Sequence, residues 1–318
     1  MRIKVTAPGS LMLMGEHAVL SGQRALACAV DKRITVTLAP REDRLVKIDS
    51  ELAQYSASLD ELKAEPALSF VLTAIERQLA RLPAGFELVI RSEFSHMIGL
   101  GSSAAVTAAV VAALHYYIGN ASNGQDCHDP LVLFNEALAV VHQVQGGRGS
   151  GTDLVASVYG GVVGYTVASP DGPPRIRVLR GIPSISLFYV GYKMKTPDVL
   201  KLVEGYASQA PALYDELYRL MGKTTEQAEL AVDSADWPQF GRLMNIYQGL
   251  MDALGVNDRQ LAEIIYTVRS APEVLGAKIS GSGLGDCVLA LGCPANLQLA
   301  YEQIPVTVSA EGVTVEYI

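Results

Sequence analysis

The stretch Gly99-Leu-Gly-Ser-Ser-Ala-Ala105, running straight into the alanine-rich apolar segment 106–114, constrains this chain more than any other part of it. Two glycines allow a tight turn and close approach of the backbone to a ligand, and the serines open a helix whose first amides lack acceptors of their own. Those amides and the helix dipole favour an anion, so Gly99, Leu100, Gly101, Ser102, Ser103 and Ala104 form a candidate phosphate cradle. The loop has neither the Gly-Lys-Ser/Thr ending of a P-loop nor the three-glycine dinucleotide fingerprint, and so belongs to neither class. A glycine turn before a helix also serves as a plain cap, and the cradle reading gains its weight from two further segments.

At 318 residues, 49% hydrophobic and 18% charged, the chain can form one large domain or two ordinary ones. A net charge of −8 argues against nucleic acid or an anionic membrane as the main partner and in favour of small molecules. Cys28, Cys127, Cys287 and Cys293 show no metal-ligand spacing, and the opening Met-Arg-Ile-Lys-Val-Thr reads as a strand. The expectation is a reduced, cytoplasmic protein with no disulfide framework. Polar interruptions keep every apolar run below the roughly 18 to 20 residues that a bilayer span needs.

Patterning predicts strands over 3–6, 34–38 and 86–91, and helices over 69–82, 102–117 and 131–145, the last two separated by the polar segment 119–130. Pro8 and Gly9 are expected to end the first strand. The Asp-Gly-Pro-Pro loop at 169–174 is the clearest mid-chain break. Beyond it the pattern predicts a strand over 185–192, helices over 211–233, 237–254 and 259–270, and strands over 277–280, 287–291, 306–309 and 313–317. Strands and helices mix without strict alternation, which implies an α+β protein in two lobes, 1–175 and 176–318.

The second informative segment is Ala7-Pro-Gly-Ser-Leu-Met-Leu-Met-Gly-Glu-His-Ala-Val-Leu20, where Glu16 and His17 place an acceptor and a switchable donor beside a glycine bend. A capping carboxylate and a packed histidine would look the same. The third is Gly276-Ala-Lys-Ile-Ser-Gly-Ser-Gly-Leu-Gly-Asp-Cys287, a glycine-rich turn between strands. A hairpin needs fewer glycines, and this density lets main-chain donors of Gly281, Ser282 and Gly283 gather around a charged group.

In order and spacing the three segments resemble the motifs of the GHMP kinases, the superfamily of galactokinase, homoserine kinase, mevalonate kinase and phosphomevalonate kinase. The resemblance covers nearly the whole chain. It implies a first domain like domain 2 of ribosomal protein S5, a ferredoxin-like second domain, and ATP phosphates on the second motif in the cleft between them. It also matches Ser150-Gly-Thr-Asp153 to the family's Ser-Gly-x-Asp segment, which makes Asp153 the catalytic base for the attacking hydroxyl. Magnesium would bridge the β- and γ-phosphates, with Ser102 or Ser103 as an oxygen ligand.

The chain departs from the family pattern at four positions. Ser10 stands where mevalonate and phosphomevalonate kinases usually carry lysine, leaving Lys193, Lys195 or Lys278 to supply the cation. His142 stands where a magnesium-binding glutamate is common; imidazole suits magnesium poorly, which leaves two alternatives, that His142 holds a carboxylate or that serine, water and phosphates alone grip the magnesium, with Glu136 a distant substitute as ligand. Leu284 and Asp286 replace frequent glycines, and the Asp286 carboxylate is expected to point away from the phosphates.

For the acceptor, Glu16, His17, Arg148, Lys193 and Lys195 are the candidate substrate contacts. The Gly-Glu-His-Ala-Val-Leu ending resembles mevalonate kinases, whereas the segment from His142 to Asp153 looks more like phosphomevalonate kinases. A carboxylate needs one cationic anchor and a phosphorylated acceptor a cluster, which favours mevalonate over phosphomevalonate. Another sugar or alcohol kinase and a non-catalytic sensor are the remaining readings, and the oligomeric state, a homodimer included, stays open.

Overall fold

A computed structural model describes residues 2–94, 99–122, 129–170, 172–294, 297 and 299–318. The elements begin with β1 (Ile3–Met14), β2 (Ala25–Pro40), β3 (Leu45–Asp49), β4 (Gln54–Ser58), α1 (Ser69–Gln78), β5 (Phe86–Ser92), α2 (Ser102–Ser122), α3 (Pro130–Val144), α4 (Thr152–Tyr159), β6 (Val162–Thr166) and β7 (Arg175–Leu179). The second half adds β8 (Ile185–Lys193), α5 (Thr196–Gln209), α6 (Pro211–Asp233), α7 (Trp237–Ala253), α8 (Arg259–Arg269), β9 (Gly276–Ser280), β10 (Gly285–Leu291), β11 (Glu302–Ile304) and β12 (Thr314–Tyr317).

Two sheets result. The first runs β12-β1-β2-β5-β3-β4, with β6 pairing the 25–28 end of β2 and β7 pairing β6. The second, β11-β8-β10-β9, is antiparallel throughout, and its strands stand in the order 4-1-3-2 of a ferredoxin-like lobe. The α+β, two-lobe expectation therefore holds.

Helix α2 sits at the centre of the first lobe because nearly every side of it is apolar, so it has no face to offer water. Ala105, Ala108, Ala109, Ala112 and Ala113 are each at most 1% exposed, and their small side chains let the helix lie close on β1 and β2, with α1, α3 and α4 around it. Its 102–119 window is long and apolar enough, by length and composition, to cross a membrane, which corrects the expectation drawn from interrupted runs; 78% of it is buried as core.

Several boundaries differ from the sequence expectation. Pro8 and Gly9 do not end β1, which continues to Met14 through a register shift between Pro8 and Ser10. β12 pairs only with residues 3–6, so Pro8 falls at a bulge beyond its reach, where a missing N–H is tolerated. The 169–174 loop is the turn of the β6–β7 hairpin, bridged between Ser169 and Gly172, not a lobe boundary. The chain leaves the first sheet only after Leu179 and returns to it through β12, so the expected division at 175 and 176 shifts.

The elements β3, β4, β6, β7, β11, α4 and α5 were not foreseen. β3 and β4 are five-residue strands, and α5 buries only Val199 and Val203, too thin a stripe to announce a helix. The expected strand over 306–309 is reduced to one bridge between Val30 and Val308. Of the polar segment 119–130, residues 123–128 lie outside the described residues, Cys127 among them. Cys28 and Cys287 are buried and Cys293 is exposed, and none of the three is in a disulfide.

Candidate active site

The three motifs meet where the lobes join. The Leu100 carbonyl accepts the Ser10 N–H at 3.0 Å, which seats the phosphate loop on β1. Among the described residues the first bond of α2 runs from Ala105 N–H to the Gly101 carbonyl, 3.0 Å, and no carbonyl accepts from the Ser102, Ser103 and Ala104 amides at the helix end. Gly101 has φ +63°, and a Cβ there would fall 2.0 Å from Ser10 Oγ, so only glycine fits. The loop thus has the geometry of the candidate cradle expected from the sequence.

Asp153 is the second residue of α4 and does not cap that helix; Gly151 is the N-cap. α4 is tied to β1 by Ser157 Oγ, which donates to the Pro8 carbonyl at 2.8 Å. The tie brings Asp153 Oδ1 to 2.8 Å from Ser10 Oγ, which donates to it. Burial pushes the Asp153 carboxyl above the ordinary carboxylate range; the Ser10 hydrogen bond and the Lys193 charge draw it down, and the Asp286 charge raises it. A half-buried carboxylate tuned upward beside an anion cradle is suited to accept a hydroxyl proton.

The third motif turns toward the same point. Leu284 and Asp286 adopt the left-handed backbone, φ +53° and +68°, where glycine would carry no strain. Contrary to expectation, Asp286 does not turn away from the phosphate loop. Its Oδ1 accepts the Gly99 N–H at 3.1 Å and its Oδ2 pairs with Lys193 Nζ at 2.5 Å. Gly281, Ser282 and Gly283 lie on the same turn, and the Ser282 carbonyl accepts from His17 Nε2 at 2.8 Å. Burial lowers the His17 pKa, so the ring is neutral; with Nε2 donating, Nδ1 is a buried acceptor lacking a partner among the described residues.

Glu16 lies beneath this surface. Its Oε1 pairs with Lys278 Nζ at 2.5 Å, with side chains 1% and 0% exposed, and its carbonyl accepts from the Tyr247 hydroxyl at 3.0 Å. Burial pushes the Glu16 carboxyl up and the Lys278 ammonium down, and each partner's charge opposes the shift of the other. Glu16 thus joins the lobes, and Lys278 is held by it and by the Ile279 carbonyl, unavailable as a free cation.

Arg148 and Lys195 are exposed and form no ion pair among the described residues. His142 holds no carboxylate: its Nε2 bonds the Gly149 carbonyl at 2.9 Å and so steadies the loop leading to Asp153. Glu136 is engaged by His115 and by Gln78, the latter at 2.6 Å, and is no metal ligand.

Sequence reasoning missed a cavity of about 600 Å³ beside the cradle, lined by Leu52, Leu68, Phe70, Ile90, Phe94 and Val106, with Ser102 and Ser103 at its edge. Its contributors come from five separate segments, which no local pattern links. An apolar recess next to an anion cradle matches the base and phosphates of ATP. For magnesium, no group of three or more His, Cys, Asp or Glu that could hold a metal ion occurs among the described residues. Oxygens of Ser102 or Ser103 with the nucleotide's own phosphates make the fitting donor set.

A cradle and a carboxylate converging at the junction of two such lobes define a phosphotransferase with an alcohol acceptor. Family models described as GHMP kinases N terminal domain, GHMP kinases C terminal and galactokinase galactose-binding signature match residues 68–161, 228–305 and 2–40. The mevalonate kinase of Thermococcus onnurineus is 33% identical over 92% of this chain and 89% of its own length. A Lin0012 protein from Listeria innocua has the same fold, with a TM-score of 0.84 at 23% identity over 99% of both chains. The Methanococcus jannaschii mevalonate kinase gives 0.76 at 21%, over 96% of this chain and 98% of its own. The chain belongs to the GHMP kinases.

Proposed function

We propose that the protein transfers the γ-phosphoryl group of ATP to the primary hydroxyl of mevalonate, as a cytoplasmic mevalonate kinase. The observation that carries the reading is the Asp153 carboxylate, held by Ser10 beside the amide cradle of Gly99 to Ala104. In this reading Asp153 accepts the hydroxyl proton, the freed oxygen attacks the γ-phosphorus, and ADP leaves along the cradle. The cradle amides and Ser102 and Ser103 hold the phosphates, with Gly281, Ser282 and Gly283 closing from the other lobe. Magnesium, when bound, neutralises charge on the β- and γ-phosphates; Ser102 or Ser103 would hold it.

Mevalonate is favoured over its phosphorylated product by the supply of cations. Lys278 is buried against Glu16, and Lys193 is paired with Asp286. That leaves Arg148 and Lys195 as exposed, unpaired anchors, enough for one carboxylate and few for a phosphate. The buried acceptors Glu16 Oε2 and His17 Nδ1 have no partner among the described residues, and a hydroxyl donor on the acceptor would satisfy either.

A coupled ADP-release assay with magnesium-ATP tests the reading, with mevalonate, phosphomevalonate and galactose offered separately. Turnover with mevalonate alone is expected. Turnover with phosphomevalonate or galactose instead would overturn the assignment of the acceptor, and turnover with none of the three would overturn the assignment as a mevalonate kinase.

A further inference from the structure

Ser10 leaves the first motif without its usual cation, so the structure must take a positive charge from elsewhere to sit beside the reacting groups. Lys193 ends β8 and lies opposite Gly285 in the ladder with β10. The β8–β10 register shifts between Gly285 and Cys287, which turns Asp286 out of regular pairing. Asp286 then bridges three places: its backbone is in the third motif, Oδ1 is on the Gly99 N–H, and Oδ2 is on Lys193 Nζ.

We infer that Lys193 is the cation of the phosphoryl-transfer site and that Asp286 is the residue that positions it, locking the second lobe's strand β8 to the first lobe's phosphate loop. The inference rests on the kinase reading above. The Asp286 side chain is 8% exposed and that of Lys193 36% exposed, so the anchor is buried while the lysine keeps contact with solvent. The Lys193 charge also draws the Asp153 carboxyl down toward its ordinary range. A Cβ on Gly99 would stand 2.3 Å from Asp286 Oδ2, so the contact exists because both motifs leave room for it. During transfer Lys193 donates hydrogen bonds to phosphoryl oxygens and keeps its protons. Asp286 has a second effect of opposite sign, since its negative charge near the first amide of the cradle opposes nucleotide phosphates.

The test is a double-mutant cycle on Lys193→Met and Asp286→Asn, with kcat from the acceptor the parent uses and affinity for a non-hydrolysable ATP analogue from calorimetry. Asparagine keeps an oxygen for the Gly99 N–H and removes only the charge. Lys193→Met is expected to lower kcat about a hundredfold, the scale of one lost charge-stabilising donor. Asp286→Asn is expected to lower kcat about tenfold yet tighten the analogue several-fold, and in the Lys193→Met background to change kcat less than about twofold. A merely structural Asp286 would weaken both quantities together. Additive effects on kcat, or Lys193→Met within about threefold of the parent, would overturn the inference. If the parent turns over no acceptor, the kinase reading is what has failed. The analogue affinities still judge the pair, because weaker binding in Lys193→Met with tighter binding in Asp286→Asn supports it, and any other signs refute it.

Discussion

Ser10 Oγ donates to Asp153 Oδ1 at 2.8 Å while the Ser10 N–H donates to the Leu100 carbonyl at 3.0 Å. One residue of the first strand therefore touches both the proposed base and the glycine loop. A lysine at this position would place a full charge between them; the hydroxyl supplies a neutral hydrogen bond, which orients the carboxylate and lowers its pKa by less than a cation would.

Replacing Ser10 by alanine removes that hydrogen bond and lets the Asp153 pKa rise further from an already raised value. Activity needs the ionised carboxylate, so the acid limb of kcat against pH should move to higher pH. Well above the limb, kcat should fall no more than about tenfold, as expected for loss of orientation alone. An unmoved limb would mean that Ser10 does not tune Asp153.

Asp153→Asn should keep nucleotide binding and lose turnover by roughly 10²- to 10⁴-fold, the usual contribution of a general base. It should also raise the melting temperature near neutral pH. Because the folded-state pKa lies above the unfolded one, the native protein binds the extra proton, and stability falls as pH rises from the unfolded pKa through the folded one. Asparagine removes the buried charge and with it this loss. Scanning calorimetry at pH 5 and pH 8 checks the sign, since the gain should be larger at pH 8.

The glycine loop and α2 were legible because each depends on local rules, glycine geometry and helix-end amides for the first and an apolar run for the second, whereas Asp153 was reached only through its resemblance to the family's Ser-Gly-x-Asp segment. Pro8 was misread because its cost depends on whether another strand pairs there, and β12 lies some 300 residues away in sequence and stops pairing at residue 6. Sequence could not show that Glu16 is also paired with a buried Lys278 from the other lobe. Asp286 was expected to point away from the phosphates. Only the Gly99 N–H and Lys193 on either side of its carboxylate explain why it turns inward.

Gly101→Ala should disable the site. The new Cβ would meet Ser10 Oγ at 2.0 Å and sit 3.4 Å from Asp153 Oδ1, on a backbone at φ +63°. Strain of this kind costs about 1–3 kcal/mol, and it should also push Ser10 off Asp153 and tilt the start of α2. Both nucleotide affinity and turnover should fall, with a melting temperature lowered by a few degrees. Affinity equal to the parent's would show that the loop relaxes without disturbing the cradle.

The Glu16–Lys278 pair makes the last prediction, because it tests whether the lobes are joined through buried charge. Glu16 is on the first motif, Lys278 is on β9, and Tyr247 of α7 both accepts the Gly15 N–H and donates to the Glu16 carbonyl, each at 3.0 Å. Glu16→Gln leaves a buried ammonium with no counter-charge, and breaking one side of such a pair costs about 3–5 kcal/mol. Denaturant titration should show that loss. Adding Lys278→Met to Glu16→Gln removes the stranded charge and replaces it with apolar volume, so the double variant should regain much of the stability while the single variant does not. If the double variant is no more stable than Glu16→Gln alone, the penalty comes from lost packing at the junction rather than from an unpaired charge.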